Sequence, residues 1–217
     1  MIRIVIADDH TIVREGLKQL LSAASDLAIV GEAANGTEVM QQVRSGTGID
    51  VLLLDMSMPG KSGIELIKQV RSEKPKLRIM VLSMHEEEQY AVRAIKAGAS
   101  GYLTKQSASA LLVSAIRKVA GGGAFISGPV AEQLALDAMP QTQGPPHSSL
   151  SDREFQVFNL LVSGKTVSDI ARELNLSVKT VSTHKVRIMQ KMNLHNQTEL
   201  IRYAISHRLI ENPDESA

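Results

Sequence analysis

Cysteine is absent from the 217 residues, and this absence excludes several kinds of chemistry. Without cysteine the chain forms no disulfide, has no thiolate nucleophile and builds no cysteine-based zinc site. The six histidines do not occur at the HxxxH or HExxH spacing of common metalloenzymes. The opening "MIRIVIADDH" holds only a short apolar run, too short for a signal-peptide core or a membrane span. We therefore expect a soluble protein of a reducing, cytoplasmic compartment.

A large excess of charge of either sign is also lacking. The chain has 24 Lys+Arg against 23 Asp+Glu, a net charge of +1, so the total predicts no general attraction to polyanions or membranes. The distribution is uneven, because residues 150–210 carry nine basic and five acidic residues, a net +4, while the last seven residues carry three acids. Any nucleic-acid signal must therefore be local to the C-terminal part.

Short apolar runs alternate with helical patterns along the first 120 residues. The runs cover residues 2–7, 27–31, 50–54, 78–83 and 100–103, and the helical patterns cover 11–24, 36–45, 62–73, 87–97 and 107–119. Continuous apolar strands linked by helices are typical of a parallel sheet covered on both faces, with ligands beyond the carboxyl ends of the strands. We predict an α/β flavodoxin-like, doubly wound five-stranded parallel sheet in the order 2-1-3-4-5, followed by a small all-α domain.

The regular alternation ends in a stretch rich in Gly, Pro, Gln and Ser that has the composition of a linker. From Leu150 onward the pattern is purely helical. We predict an α/β domain over residues 1–122, a linker with a short helix over 123–148, a helical domain over 149–211 and an acidic tail over 212–217.

Acidic side chains follow two strands that a doubly wound sheet places side by side. Asp8 and Asp9 end the first strand in "IVIADDH", and Asp55 ends the third in "VLLLDMSMPG". Carboxylates held close together repel one another and raise each other's pKa unless a cation lies among them. Because the sequence provides only oxygen ligands here, without Cys or clustered His, the pattern indicates a hard ion such as Mg²⁺.

Two further strand ends add groups suited to a phosphate. Ser83 ends the fourth strand, and "GYLTKQ" brings Lys105 to the same edge. An acid, a divalent cation, a hydroxyl and an ammonium are the components of phosphoryl transfer to a carboxylate, with Asp55 as the acceptor. Each residue taken alone also fits a helix cap or a solvated surface group, so the prediction depends on their joint occurrence.

Residues 1 to about 120 resemble the receiver domain of bacterial two-component response regulators. The motif "DD", "D-x-x-M-P-x-x-x-G", "S/T" and "K" is matched by Asp8 and Asp9, by "DMSMPGKSG" from Asp55, by Ser83 and by Lys105. The resemblance implies that a sensor histidine kinase donates its phosphoryl group to Asp55.

The same resemblance implies a role for each motif residue. Asp9, Asp55 and the main-chain carbonyl of Ser57 would bind Mg²⁺, and Asp8 would act mainly through water. The remaining implied roles are phosphoryl contacts by Ser83 and Lys105, an aromatic switch at Tyr102, and control of water access by Ser57 and His85.

The C-terminal region has the helix boundaries of a helix-turn-helix domain. Ser151 and Glu154 form a capping-box signature, Gly164 ends the first helix, and Ser177 is placed to cap the third. The expected core includes Phe155, Phe158, Leu161, Val162, Ile170, Ala171 and Leu174.

The third helix has two different faces. Val178, Val181, Ile188 and Met192 form an apolar stripe that we expect to lie in the core. The other face mixes hydroxyls, cations and an apolar group, which suits the major groove of DNA. The predicted DNA-contacting residues are Lys179, Thr180, Ser182, Thr183, Val186, Arg187 and Gln190.

Residues 150 to about 210 resemble the LuxR-type helix-turn-helix domain of the NarL/FixJ class of response regulators. The resemblance is carried by "LSDRE", "DIARELNLSVKTVSTHKVRIMQKM" and a closing helix "NQTELIRYAISHRLI". Two departures are Asp169, where the family usually has Glu, and the missing Arg before the fourth helix. The resemblance implies that this helix pairs two copies on DNA through Leu200, Ile201, Ala204 and Ile205.

These patterns together predict a DNA-binding transcription regulator rather than an enzyme, with self-phosphorylation and autodephosphorylation at Asp55 as its only chemistry. The expected partners are a sensor histidine kinase, promoter DNA and a second copy of the phosphorylated chain. A Mg²⁺-dependent phosphatase is one alternative, although Ser57 stands where such enzymes usually carry a second acid. A DNA-binding protein whose receiver serves only for dimerisation is another.

Overall fold

Five parallel strands form one sheet in the computed structural model, which describes residues 1–45, 48–58, 63–84, 88–138, 145–207 and 209. The strands are β1 (Ile2–Ala7), β2 (Leu27–Ala33), β3 (Val51–Asp55), β4 (Arg78–Ser83) and β5 (Gly101–Thr104). Their order is β2-β1-β3-β4-β5, with every neighbouring pair parallel. The predicted doubly wound sheet is confirmed.

Helices connect the strands and cover the sheet on both faces. They are α1 (Thr11–Ser22), α2 (Gly36–Arg44), α3 (Gly63–Glu73), α4 (Glu88–Ala97) and α5 (Ala108–Ala120). All five residues of β3 are buried, as expected for a central strand with helices above and below. Residues of α1 and α5, including Leu21 and Ile116, share one core with Ile4 and Leu53 of the sheet.

The third strand begins and ends one residue later than the sequence pattern predicts. Asp50 lies just before the strand, where its amide donates to the Arg3 carbonyl (2.9 Å) and its carboxylate pairs with the Arg3 guanidinium (3.1 Å). At the other end, Asp55 is in register with Leu82 of β4. The acid therefore belongs to the last rung of the sheet and has the position of a strand residue.

The chain after α5 returns to the edge of the sheet. The Tyr102 amide donates to the Phe125 carbonyl (2.9 Å), and the Phe125 amide donates to the Ser100 carbonyl (3.1 Å). A helix α6 (Gly128–Ala138) follows, and a 3-10 turn (Pro146–Ser149) comes before the remaining helices of the chain. The two compact units are Met1–Leu136 and Asp137–Ala217, so the division falls within the predicted linker, residues 123–148.

Four α-helices follow the 3-10 turn in the described part of the second unit. They are α7 (Asp152–Val162), α8 (Val167–Glu173), α9 (Val178–Met192) and α10 (Gln197–Ser206). The predicted capping box is present, because Ser151 accepts from the Glu154 amide and Glu154 accepts from the Ser151 amide. Ser177 caps α9 as predicted, by accepting from the Thr180 amide (3.0 Å). The predicted acidic tail, residues 212–217, lies outside the described residues.

The turn between α8 and α9 depends on a residue with left-handed backbone. Asn175 has φ of 51°, and the Leu176 amide donates to the Ala171 carbonyl (2.8 Å). Asparagine tolerates this conformation at the end of a helix better than most residues other than glycine. Because the chain turns here, α8 ends at Glu173.

The core of the helical unit matches the predicted residues except at one position. Phe155, Phe158 and Ile170 are at most 1% exposed, and Val181, Ile188 and Met192 of α9 are also buried. Val178, in contrast, is 51% exposed, so its predicted place in the core is wrong. It is the first residue of α9, and the buried stripe begins one turn later.

Candidate functional site

Two acids lie buried at the carboxyl edge of the sheet. Asp8 directly follows β1, where its amide donates to the Ala33 carbonyl at the end of β2 (3.1 Å), and Asp55 ends β3. Ala7 of β1 and Leu54 of β3 are paired in register. The two acids are the next residues on these neighbouring strands, so they leave the sheet side by side. Each is only 1% exposed, which is unusual for an aspartate without a charged partner.

Lys105 supplies the charged partner. Its Nζ lies 2.7 Å from Asp8 Oδ2 and 3.0 Å from Asp55 Oδ2. The backbone fixes the position of this residue, because the Lys105 amide donates to the Ser83 carbonyl (2.7 Å) directly after β5. The sheet therefore brings together four of the predicted residues, Asp8, Asp55, Ser83 and Lys105, at the ends of four strands.

The electrostatics of this pocket favour a proton or a cation near Asp55. Burial raises the pKa of Asp55 above its ordinary value, and the charge of Asp8 adds to this; Lys105 and the Ser57 amide act in the opposite direction. Burial acts against the charge of Lys105, but its hydrogen bonds to Asp8 and Asp55 outweigh this, and the pKa of Lys105 is raised. The ammonium is therefore held charged between two carboxylates.

Three other predicted residues of this pocket lie on or shortly after β3, β4 and β5. Ser83 is fully buried at the end of β4, and the Ser57 amide donates to Asp55 Oδ1 (3.2 Å). Tyr102 lies on β5 in register with Val81 and is 8% exposed. His85, which the resemblance placed beside the site, lies outside the described residues.

His10 belongs to the acidic cluster and was missed in the sequence analysis. One ligand atom from each of Asp8, Asp9, His10 and Asp55 lies within 4.8 Å of the others. His10 Nδ1 is 3.0 Å from Asp9 Oδ1 and 3.3 Å from Asp8 Oδ1. Its place directly after the acid pair was the available signal, since it holds the ring at the same edge of the sheet.

The predicted DNA-contacting residues lie along the exposed side of α9. Lys179, Ser182, Thr183, Val186, Arg187 and Gln190 are all exposed, with Val186 at 56%. Thr180 is only half-buried, and its hydroxyl is 2.7 Å from the Ser177 hydroxyl of the helix cap. The structure thus presents one surface with cations, hydroxyls and an apolar side chain, which we name the α9 surface.

The predicted pairing residues of α10 divide into two groups. Leu200 and Ala204 are fully buried inside the helical unit, so they are core residues and have no side-chain surface to offer a partner. Ile201 and Ile205 are half-buried on the same helix. The prediction that all four form a pairing stripe is therefore wrong for Leu200 and Ala204, because α10 turns that part of its apolar face toward its own domain.

Comparison with known proteins gives the same two-part organisation. Residues 4–117 match the family described as the response regulator receiver domain, and residues 148–204 match bacterial regulatory proteins of the luxR family. The response regulator UvrY of Escherichia coli K12 is 37% identical over 210 residues, covering 96% of both chains. The oxygen regulatory protein NreC of Staphylococcus epidermidis is 37% identical over 217 residues, covering 96% of this chain and 99% of its own.

A similar solved structure is RcsB of Salmonella enterica serovar Typhimurium bound to the promoter rprA in the presence of the phosphomimetic BeF3⁻. It shares 30% identity, covers 94% of this chain and 98% of its own, and has a TM-score of 0.65. The fold and site thus define a receiver domain followed by a LuxR-type DNA-binding domain. The chain belongs to the response regulators of the NarL/FixJ class. Within the described residues, no helix is both long enough and apolar enough to cross a membrane.

Proposed function

We propose that this chain is a transcriptional response regulator switched by phosphoryl transfer from a sensor histidine kinase to Asp55. The observation that carries the proposal is the buried Asp55 carboxylate at the sheet edge, with Lys105 Nζ at 3.0 Å. Phosphorylation promotes dimerisation and exposes α9 for promoter binding. The promoter-bound RcsB structure supports the DNA-binding part for a protein of the same organisation.

The pocket is arranged for a displacement at phosphorus. A carboxylate oxygen of Asp55 forms the new bond to phosphorus as the bond to the donor histidine nitrogen breaks, and that nitrogen keeps the electron pair and takes up a proton. Lys105 compensates charge on the phosphoryl oxygens, and Ser83 offers a hydroxyl. Positioning and charge compensation are the main protein contributions to such a transfer.

The donor set fits Mg²⁺. Asp8, Asp9 and Asp55 offer carboxylate oxygens within one cluster, and oxygen is the donor that this ion prefers. Asp9, Asp55 and the main-chain carbonyl of Ser57 would hold the ion, with Asp8 acting through water. When bound, the ion supplies positive charge against the oxygens of the incoming phosphoryl group.

The output runs from the phosphorylated pocket to the DNA-binding domain. Ser83 and Tyr102 act as the switch, because a phosphoryl group at Asp55 offers new acceptor oxygens to the Ser83 hydroxyl. The half-buried Ile201 and Ile205 are what remains of the predicted pairing stripe on α10. On DNA, the α9 surface enters the major groove, with Lys179 and Arg187 at phosphates and the other predicted residues facing the bases or the backbone.

Labelling with radioactive acetyl phosphate and Mg²⁺ tests the receiver part. The wild type takes up one acid-stable, base-labile phosphoryl group, and Asp55→Asn takes up none. Asp26→Asn is the matched control, because Asp26 is an exposed acid paired with Arg117 (2.7 Å). Unchanged labelling of Asp55→Asn contradicts the assignment. Continuous hydrolysis of phosphate esters that requires Asp55 would favour the phosphatase alternative.

Salt-dependent DNA binding tests the α9 surface. We expect Arg187→Ala to weaken binding to all sequences and to lower the slope of log affinity against log salt by about one. Arg44→Ala, which removes an exposed arginine from α2 of the receiver, is the control and leaves the slope unchanged. Equal slopes for both variants would show that Arg187 makes no phosphate contact.

A further inference from the structure

The acidic pocket contains a nitrogen donor beside its carboxylates. Resting on the proposed function, we propose that His10 is a metal ligand, and that the pocket binds a divalent first-row transition ion of the nickel or zinc type more tightly than Mg²⁺. Carboxylate oxygens suit Mg²⁺, whereas imidazole nitrogen suits Zn, Cu, Fe and Ni. His10 therefore changes the kind of ion that the cluster selects.

The distances fit ligands of one ion. Two ligand atoms at about 2.1 Å from an ion and at a right angle to each other lie about 3.0 Å apart. His10 Nδ1 is 3.0 Å from Asp9 Oδ1 and 3.3 Å from Asp8 Oδ1. With Asp55, all four ligand atoms lie within 4.8 Å of one another, whereas opposite ligands of such an ion are about 4.2 Å apart, so the cluster closes on an ion by small movements. The distances from His10 Nδ1 to the Asp9 and Asp8 oxygens are thus close to those between neighbouring ligands of a six-coordinate ion, and the ring needs little movement to bind one.

The local backbone gives an independent reason for this arrangement. His10 is the N-cap residue of α1, a position that favours Ser, Thr, Asp or Asn because their oxygens accept an amide hydrogen bond. The His10 side chain makes no such bond to the helix. Instead its amide donates to Asp8 Oδ1 (2.8 Å), which fixes the residue beside the acid, and its ring lies against the carboxylates. The side chain is 65% exposed, so a hydrated ion can reach it from solvent.

The charge of the pocket fits one divalent ion. When ionised, Asp8, Asp9 and Asp55 carry three negative charges, and Lys105 carries one positive charge. Two negative charges remain, and a divalent cation matches them. In the competing explanation, His10 is only a counter-ion of Asp8 and Asp9 and contributes nothing to metal selection.

Calorimetric titration of the full chain, free of any histidine tag, with Ni²⁺ and with Mg²⁺ separates the two explanations. We expect the wild type to bind Ni²⁺ more tightly than Mg²⁺. His10→Ala should lose about 10-fold or more in Ni²⁺ affinity, the scale of losses seen when metal sites are perturbed, with a much smaller change for Mg²⁺. The ratio of the two affinities is the deciding quantity, because a general effect on the pocket changes both.

Two further variants make the result interpretable. His10→Asn replaces the ring nitrogen with an amide oxygen and introduces a favoured N-cap residue, so we expect the Ni²⁺ preference to be lost without harm to the start of α1. His195→Ala removes an exposed histidine of the helical unit and should leave both affinities unchanged. If His10→Ala and the wild type show the same ratio of Ni²⁺ to Mg²⁺ affinity, the inference is overturned.

Labelling of the wild type separates failure of this inference from failure of the proposed function. Phosphoryl uptake with Mg²⁺ together with an unchanged affinity ratio removes His10 from the ligand set and leaves the regulator function intact. If the wild type binds neither ion and accepts no phosphoryl group, both the inference about His10 and the proposed function are contradicted.

Discussion

At the scale of single residues, the buried position of Asp55 that suits its proposed function also lowers the stability of the folded protein when its carboxylate is charged. Its carboxylate is buried beside Asp8, and burial first, then the charge of Asp8, raises its pKa above the ordinary value of 3.8. A raised pKa in the folded state means that stability is fully present below 3.8 and is lost as pH rises through the folded-state pKa. At neutral pH the metal-free protein therefore carries an unfavourable charge at its proposed phosphorylation site.

Asp55→Asn tests this cost. We expect the variant to raise the free energy of unfolding of the metal-free protein at pH 7 by about 0.5–2 kcal/mol, while phosphorylation is lost. The gain over the wild type should shrink as pH falls toward 3.8, because protonation then removes the same charge. Urea denaturation in EDTA at several pH values measures the difference. A less stable variant at pH 7 would show that the ion pair with Lys105 outweighs burial.

Lys105→Met gives the opposite expectation in the same assay. Removal of the ammonium leaves Asp8 and Asp55 facing each other, so we expect a loss of about 1–3 kcal/mol in metal-free stability. Lys118→Met removes an exposed lysine of α5 and serves as the control. If the two lysine variants were equally stable, the contacts of Lys105 would have no structural importance.

The sequence predicts which residues belong to the site where strands end at one edge of the sheet. It predicts less well where the direction of a side chain depends on the conformation of a loop. Asp8, Asp55, Ser83 and Lys105 could be placed from the sequence because parallel strands end at one edge. The position of His10 directly after the acid pair was also visible, but the direction of its ring was not, since it depends on the hydrogen bond that its amide donates to Asp8.

At the scale of elements, a buried acid holds the start of the helical unit together. Burial disfavours the charged form of Glu154, but Lys191 Nζ at 2.6 Å and the hydrogen bonds with Ser151 outweigh this, so the pKa of Glu154 is lowered. A lowered pKa contributes stability that is present above the ordinary value of 4.5 and is lost as pH falls through the folded-state pKa.

Glu154→Gln tests this contribution. Glutamine keeps the shape but removes the charge, so we expect the helical unit to lose about 1–3 kcal/mol at pH 7. The loss should vanish in acid below the folded-state pKa, where the wild-type side chain is itself neutral. Far-ultraviolet circular dichroism during denaturation reports the change. A difference that persisted unchanged at low pH would place the cause in packing instead of charge.

Helix boundaries followed from capping residues, whereas helix faces were harder to predict. Ser151 and Ser177 mark their helices correctly because a side-chain oxygen at the N-cap is a local signal. Val178, Leu200 and Ala204 were misjudged because an apolar stripe alone does not say how much of it the domain itself covers. That depends on packing between helices distant in sequence.

At the scale of the whole molecule, the sequence predicts two units of different chemistry. The receiver sheet and the helical unit are each explained by local patterns, and their order along the chain is visible in the shift from alternating strands to pure helix. The proposed coupling between the units would be a two-state property, and no single sequence pattern encodes such a property. We therefore propose that a phosphoryl group on Asp55 changes what the α9 surface can bind.

The most direct test measures DNA affinity and molecular mass together, with and without acetyl phosphate and Mg²⁺, for the wild type and Asp55→Ala. We expect phosphorylation to raise both the dimer fraction and the DNA affinity of the wild type, and to change neither for Asp55→Ala. Equal DNA binding by both proteins under both conditions would contradict the proposal, since the receiver would then have no control over the DNA-binding domain.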